Sequence, residues 1–268
     1  MDDRSKFLET HKMIAEIFSK EWFESELQKP PETMHVLAIQ FTFGDNPRDN
    51  SISYHLFDHL EECLEALEVE IRAKGRIPKK LKTSKDFLDT KGQIEICCIL
   101  KKWGFGVELE PKVPDSGKIS DIKISKGEST AYIEVKTLHE RPGRIIPKSG
   151  PITISELNFH PKSTIIGKIK DKSQQLSKTH PGIIVICLDD SIPQMSHLEY
   201  PFREIAHELP IVSGLMLHHH SHGPDGCSKN LRLICNPFAT NPIPTHFLEI
   251  FDSEGVAVTT WRDDDVIE

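Results

Sequence analysis

Alternation of apolar and polar residues is clearest in the middle of the chain, where it predicts three consecutive β-strands. Residues 105–113, 121–125 and 129–138 each show a strand pattern, and short turn-forming stretches separate them. Three strands with such short links predict an antiparallel meander. Residues 182–188 are continuously apolar between Pro181 and Asp189, which predicts a buried central strand. A further strand is predicted over 212–217.

Helical spacing of apolar residues predicts the elements around these strands. One helix is expected in the N-terminal segment, from Phe7 past Trp22 to the stop at Pro30, and others over 53–74, 84–103, 163–178 and 196–209. A turn is predicted at 44–47. The order helix, three strands, helix, strand predicts an α/β fold, in which a mixed β-sheet is flanked by helices.

The predicted elements divide the chain into three regions. Residues 1–83 form a helical N-terminal extension, and residues 84–222 form the α/β core. Residues 223–268 supply strands, loops and an acidic tail, which we expect to pack on the core, with 263–265 disordered.

Net charge argues against a globally basic nucleic-acid binder, because the 268 residues carry a formal charge of −8. The charge is unevenly distributed, however. The stretch 72–85 contains no acid but several cations, which could contact phosphate or simply be solvated. These cations are Arg72, Lys74, Arg76, Lys79, Lys80, Lys82 and Lys85.

Cellular compartment is predicted from two features of the sequence. No apolar run approaches the length of a membrane span, and the N-terminus lacks a signal-peptide pattern, so a cytoplasmic protein without membrane contact is expected. The six cysteines form no CxxC motif, which favours buried, reduced thiols.

Charged residues occur at positions that the apolar pattern predicts to be buried. Glu134 and Lys136 lie on the same face of the third strand, and Glu95 is the one charge in the apolar half of the helix 84–103. Because an isolated buried charge is costly, a metal ion, a polar substrate or a plain ion pair has to compensate for them. Asp121, which opens the second strand, comes close to Glu134 if these two strands pair as a hairpin.

Two carboxylates beside a backbone carbonyl, here that of Val135, suit a hard cation such as Mg²⁺, with Mn²⁺ as a substitute. Such an ion could polarise a phosphodiester oxygen. Lys136 could then orient the attacking water or neutralise charge that develops on phosphorus. A structural ion pair between Glu134 and Lys136, with Asp121 as an ordinary turn acid, is the alternative.

The pattern Asp121, twelve residues, then Glu134-Val135-Lys136, after a helix bearing Glu95, resembles the PD-(D/E)xK phosphodiesterase superfamily. The resemblance covers residues 84–188. It implies a restriction-endonuclease-like core of order αβββαβ and metal-dependent cleavage of nucleic acid. By this resemblance Asp121 and Glu134 hold the metal, Lys136 serves the attacking water and Glu95 supports the site.

The resemblance also implies a polar residue on the helix after the third strand. Gln175 is preferred there over Lys168 and Lys172, which are expected to share its polar face, distinct from the side of Ile165 and Ile169. The residue before Asp121 is Ser120 rather than proline. A literal Pro114-Asp115 occurs upstream, but it falls in a predicted turn, so Asp121 is favoured as the ligand.

The sequence therefore favours a Mg²⁺-dependent nuclease that acts on DNA in preference to RNA. A catalytically silent binding module and a defence or restriction component that needs a partner are the rival functions, and a homodimer is left open. Two further features are weaker candidates for a functional role. Arg141, Arg144 and Lys148 could reach substrate, whereas the histidine tract 218–222 is expected at the surface.

Overall fold

A computed structural model describes residues 8–30, 33–43, 50–138, 162–188, 196–223 and 226–261. The chain divides into two compact units. The first holds the described residues up to Cys98 together with 221–223 and 226–228. The second holds all the other described residues from Ile99 onwards.

Helices make up the first unit. They are α1 (Lys12–Phe18), α2 (Lys20–Leu27), α3 (Val36–Phe43), α4 (Asn50–Ala66), α5 (Glu68–Arg72), α6 (Ile77–Leu81) and α7 (Ser84–Lys102), whose last residues belong to the second unit. The helix predicted over 84–103 is confirmed. The predicted turn at 44–47 lies outside the described residues.

The single N-terminal helix expected from the apolar spacing is wrong, because the chain breaks at Ser19. Ser19 has a φ of 35°, which a helix cannot contain, and its Oγ accepts the N–H of Trp22 at 3.3 Å to cap α2. The predicted helix 53–74 is likewise two helices, interrupted at Leu67. Its apolar stripe is nevertheless buried, as at Leu60 and Ile71.

A seven-stranded sheet, apart from residues 221–223 and 226–228, belongs to the second unit, and its strand order is β1-β2-β3-β4-β5-β6-β7. The strands are β1 (Gly106–Leu109), β2 (Ile122–Lys126), β3 (Ser129–Leu138), β4 (Gly182–Leu188), β5 (Gly214–Gly223), β6 (Gly226–Cys235) and β7 (Ala257–Thr259). The helices that accompany it are α8 (Lys162–Ser173), α9 (Ser196–Ile205) and α10 (Thr245–Ser253).

Strand directions make the sheet mixed, as the sequence predicted. The first three strands pair antiparallel and form the expected meander, while β4 pairs parallel with both β3 and β5. β4 has the predicted bounds and is buried along its whole length. The α/β class is therefore confirmed.

Three predicted elements are longer than those in the structure. β1 stops at Leu109 because Glu110 has a φ of 47°, outside the strand region. α8 ends at Ser173 instead of 178. α9 ends at Ile205 and continues only as a short 3₁₀ turn.

One face of the sheet packs against α8 through an apolar cluster. Tyr132 and Leu138 of β3 join Ile184 of β4 in a cluster with Ile165 and Ile169 of α8. Because side chains alternate along a strand, Glu134 and Lys136 project from the same face as Tyr132 and Leu138. The helix α8 therefore covers the face from which the two charged residues of β3 project.

No helix in the described ranges is long and apolar enough to span a membrane.

The cysteines whose side chains are described are all free, and most are buried. These residues are Cys63, Cys97, Cys98, Cys187 and Cys235. The prediction of reduced thiols is confirmed for them, while the side chain of Cys227 is not described.

Candidate functional site

The hairpin of β2 and β3 brings together the two acids that the sequence singled out. Ile122 pairs with Ile133, so Asp121, one residue before β2, lies opposite Glu134. The predicted proximity of these two carboxylates is confirmed. It follows from the antiparallel register, in which the residue before Ile122 lies opposite the residue after Ile133.

Backbone hydrogen bonds fix both carboxylates in place. The N–H of Asp121 donates to Glu134 Oε1 at 3.1 Å, and the N–H of Val135 donates to Asp121 Oδ2 at 2.9 Å. Beside them, the Ser120 hydroxyl donates to the Ile133 carbonyl at 3.0 Å. Each acid thus binds the backbone of the other strand, which holds the pair in one orientation.

Lys172 of α8 joins the two acids. Its Nζ lies 2.8 Å from Asp121 Oδ2 and 3.0 Å from Glu134 Oε2. The side chain of Glu134 is 0% exposed, and those of Lys172 and Asp121 are 17% and 20% exposed. Two carboxylate oxygens therefore converge on a single cationic position in a largely buried site.

Burial dominates the electrostatics of Glu134. Loss of solvent raises the pKa of Glu134 to about 8, and the charge of Asp121 acts in the same direction, while Lys172 opposes both. Burial alone would lower the pKa of Lys172, but the two carboxylates outweigh it and raise that pKa above its ordinary value. The ammonium consequently stays charged, and the site favours a cation between the acids.

Sequence reasoning assigned Lys172 to a polar face of its helix that is distinct from Ile165 and Ile169, and this is wrong. Lys172 follows Ile165 by seven residues, which returns it to the same side of the helix. That spacing was available in the sequence. What was missing was the position of α8 over β3, which turns this side towards Glu134.

Lys136 and Gln175 are close in sequence to residues of the site, but they occupy different positions in the structure. Lys136 is half-buried on the same face of β3 as Glu134. Gln175 follows the end of α8, because the helix is shorter than predicted, and its N–H donates to the Lys172 carbonyl at 3.0 Å. Its side chain makes no hydrogen bond to Asp121 or Glu134. The proposed roles of Lys136 and Gln175 stay predictions.

Glu95 belongs to the first unit, where it has partners of its own. Its side chain is buried and accepts from Lys91 Nζ at 2.6 Å, while His59 Nε2 lies 3.6 Å away. These contacts explain how its charge is tolerated in an apolar helix. Its expected support of the carboxylate pair stays a prediction.

Asp115, the acid of the literal Pro-Asp, has a structural role. Its Oδ2 accepts the Ser177 hydroxyl at 3.1 Å and the N–H groups of Lys178 and Thr179 at 2.5 and 3.0 Å. These bonds tie the turn before β2 to the segment after α8. Asp121, and not Asp115, is the acid that lies opposite Glu134, while the preference for Asp121 as the metal ligand stays a prediction.

The donor set around the hairpin fits a small hard cation. In a strand the N–H and C=O of one residue point to the same side, so the Val135 carbonyl faces the side on which its N–H meets Asp121. Mg²⁺ is commonly held by one or two carboxylates and keeps several waters. The Lys172 ammonium occupies the position between the two acids. Within the described ranges, no cluster of three or more His, Cys, Asp or Glu side chains is arranged for metal binding.

The remaining predicted features have mixed outcomes. His218 is 1% exposed within β5, so its expected surface position is wrong, because the strand runs further than predicted. The side chains at 220–222 are not described. Arg141, Arg144, Lys148 and the acidic tail at 263–265 lie outside the described residues.

Comparison of the chain with protein-family models, with curated proteins and with solved structures found no match.

Proposed function

We propose that this chain is a Mg²⁺-dependent nuclease with a restriction-endonuclease-like core, which hydrolyses phosphodiester bonds of DNA in preference to RNA. The observation that carries the proposal is the convergence of Asp121 and Glu134 on one cationic position. The order α7, β1-β2-β3, α8 and a β4 parallel to β3 supports it, since the PD-(D/E)xK resemblance implies this order.

In the proposed site, Asp121, Glu134 and the Val135 carbonyl would hold the ion. When bound, Mg²⁺ supplies Lewis-acid polarisation of a phosphoryl oxygen. The hydrogen bonds between the strands of the hairpin keep both carboxylates oriented before substrate arrives, so that little reorganisation is needed.

Lys136 is proposed to orient the attacking water and to offset negative charge that builds up on phosphorus. The water oxygen forms a bond to phosphorus, and the bond from phosphorus to the leaving oxygen breaks. One hydrogen of the water ends on that leaving oxygen, so that the products are an alcohol and a phosphate monoester. Gln175 and Glu95 keep supporting roles in this proposal.

Cleavage of supercoiled plasmid DNA in Mg²⁺ or Mn²⁺, with EDTA as the metal-free reference, tests the proposal. Glu134→Gln and Asp121→Asn should each slow cleavage by about 10²–10³-fold, because each removes charge that holds the ion. Lys136→Ala should also slow it. Glu128→Gln, at an exposed position on the same hairpin, is the matched control and should cut normally. Equal rates in Glu134→Gln and Glu128→Gln would refute the proposal.

A catalytically silent binding module is the second candidate function. It is favoured by the fact that Lys172 already compensates both carboxylates without a metal. Such a module would bind DNA equally well with Mg²⁺ or EDTA and would show no metal uptake in a direct titration.

A further inference from the structure

Lys172 and a divalent ion have the same requirement at the β2–β3 hairpin, namely the facing oxygens of two carboxylates. The ammonium occupies that position through bonds to Asp121 Oδ2 and Glu134 Oε2. Within the described ranges these are the partners of its Nζ. Lys172 therefore binds the same carboxylate oxygens that the proposed metal would need.

We propose that Lys172 and the divalent ion compete for Asp121 and Glu134, so that binding of the ion displaces the ammonium from the carboxylates. This inference rests on the proposed metal site, and it adds a resident cation that sets how tightly that site takes up metal. Lys172 would then be a positioning residue, since it keeps two buried acids compensated while no metal is bound.

The hydrogen bonds of the two acids leave little room for both cations. Asp121 Oδ2 already accepts from the Val135 N–H and from Lys172, and a carboxylate oxygen offers about two lone-pair positions. Glu134 Oε1 accepts the Asp121 N–H, which leaves Oε2 as its contact with Lys172. The oxygens that face each other across the site are thus those that the ammonium holds.

Electrostatics favours exchange over joint occupancy. When both carboxylates are ionised, a single ammonium leaves these three groups with net negative charge, which attracts a further cation. A divalent ion and an ammonium would repel each other strongly at such short range in a site of low dielectric. An ion that binds both acids would therefore expel Lys172.

The position of Lys172 permits this exchange without refolding. It is the penultimate residue of α8, and its side chain keeps 17% exposure. A lysine has a flexible four-carbon stem and a strongly hydrated charge, so its ammonium can move to solvent while the helix stays in place.

Reductive methylation of the unmodified protein tests the exchange directly. Lys172 should resist methylation in EDTA and become reactive in Mg²⁺, as read by peptide mass spectrometry. Lys170, on the same helix and with a side chain that is 44% exposed, should react equally under both conditions. Protection of Lys172 that persists at saturating Mg²⁺ would overturn the inference.

A calorimetric titration with Mn²⁺ provides an independent test on variants. Lys172→Met should bind Mn²⁺ about tenfold more tightly than the parent, in keeping with the usual size of coupling between two competing ligands. Mn²⁺ should also raise the Tm of Lys172→Met more than that of the parent. Lys170→Met, which loses a partner of Glu208 but no carboxylate contact at the hairpin, is the matched control.

The outcomes separate this inference from the proposed function. Equal Mn²⁺ affinity in Lys172→Met and the parent would overturn the competition and leave the metal site intact. Absence of Mn²⁺ binding in both proteins, with Lys172 protected throughout, would overturn the competition and the nuclease proposal together.

Discussion

Glu134 shows how the protein accommodates an acidic side chain at a fully buried position. Its side chain is 0% exposed beside Ile184, its register partner on β4, so that burial opposes ionisation. A backbone N–H from Asp121 and the ammonium of Lys172 offset that cost. Glu134 is therefore tolerated only because two other parts of the chain supply its partners, namely Asp121 before β2 and Lys172 of α8.

His35, in the first unit, is a second buried ionisable residue. It is 0% exposed, its ring packs on Trp22 and Phe87, and its Nδ1 accepts the Leu37 N–H at 3.2 Å. Burial lowers the pKa of His35, an effect that outweighs attraction from Glu26. Burial therefore favours the neutral imidazole in the folded protein.

Because the folded pKa of His35 lies below its unfolded value, its effect on stability is at its most favourable above about pH 6.5. As the pH falls below that value, the unfolded chain takes up a proton that the folded chain does not. The free energy of unfolding should then drop by up to about 1.4 kcal/mol per pH unit. Urea denaturation between pH 5 and 8 measures this slope.

His35→Asn serves as the control for that slope, since its Oδ1 can still accept the Leu37 N–H and it does not titrate. The variant should be less stable at every pH, because ring packing is lost, but its acid slope should be shallower. An unchanged slope would assign the acid sensitivity to other groups.

At the scale of elements, the start of β4 lies close to the segment after α8 and to the segment before β5, and this close contact depends on Gly182. A Cβ at this position would lie 2.8 Å from the Ile211 carbonyl oxygen and 2.8 Å from Leu176 Cδ1. The Gly182 N–H also donates to Ser213 Oγ at 2.8 Å, so the strand cannot shift away freely. The start of the central strand has therefore no space for a side chain.

Gly182→Ala should lower the free energy of unfolding by about 1–3 kcal/mol, the usual cost of overpacking a core. Gly167→Ala within α8 is the matched control, because a Cβ there meets nothing within 4 Å. It should leave stability unchanged or raise it by up to about 1 kcal/mol through helix propensity. Thermal denaturation of both variants checks the pair, and equal effects would contradict the packing argument.

For the whole molecule, the net charge of −8 opposes contact with nucleic acid, so any such contact has to be local. Some cations of the stretch 72–85 are neutralised: Arg72 pairs with Glu16 and Glu68. Lys79 and Lys82 are exposed, and neither has an ion pair within the described residues. These two lysines, like Lys85, which is also exposed and has no ion pair within the described residues, are well placed to meet phosphate.

Lys79→Gln/Lys82→Gln should weaken binding to duplex DNA. The slope of log K against log salt should become less steep by about 0.9 for each lysine that contacts phosphate. Fluorescence anisotropy in EDTA, over a series of salt concentrations, measures both effects without cleavage.

Lys20→Gln/Lys29→Gln is the control of equal charge change. These lysines lie in the same unit but are already paired, with Glu24 at 3.9 Å and Glu26 at 2.5 Å. The control should bind DNA nearly as the parent does. If both double variants lose the same affinity, total charge and not the local stretch governs binding.

The candidate site shows what sequence could and could not reveal. Asp121 and Glu134 were identified because a hairpin of short strands has a register that local turns define, so their proximity followed from chain order. Lys172 was missed as the bridging cation, because it lies 38 residues beyond Glu134 and on another element. Its contact depends on how α8 packs.

The sequence by itself determined the α/β class, the meander and the buried β4, because apolar periodicity and turn residues act over a few neighbouring positions. Only the tertiary structure decided where helices break, as at Ser19, and which cation compensates Glu134. Those outcomes depend on packing between elements distant in the chain, where burial and hydrogen bonding outweigh local preference.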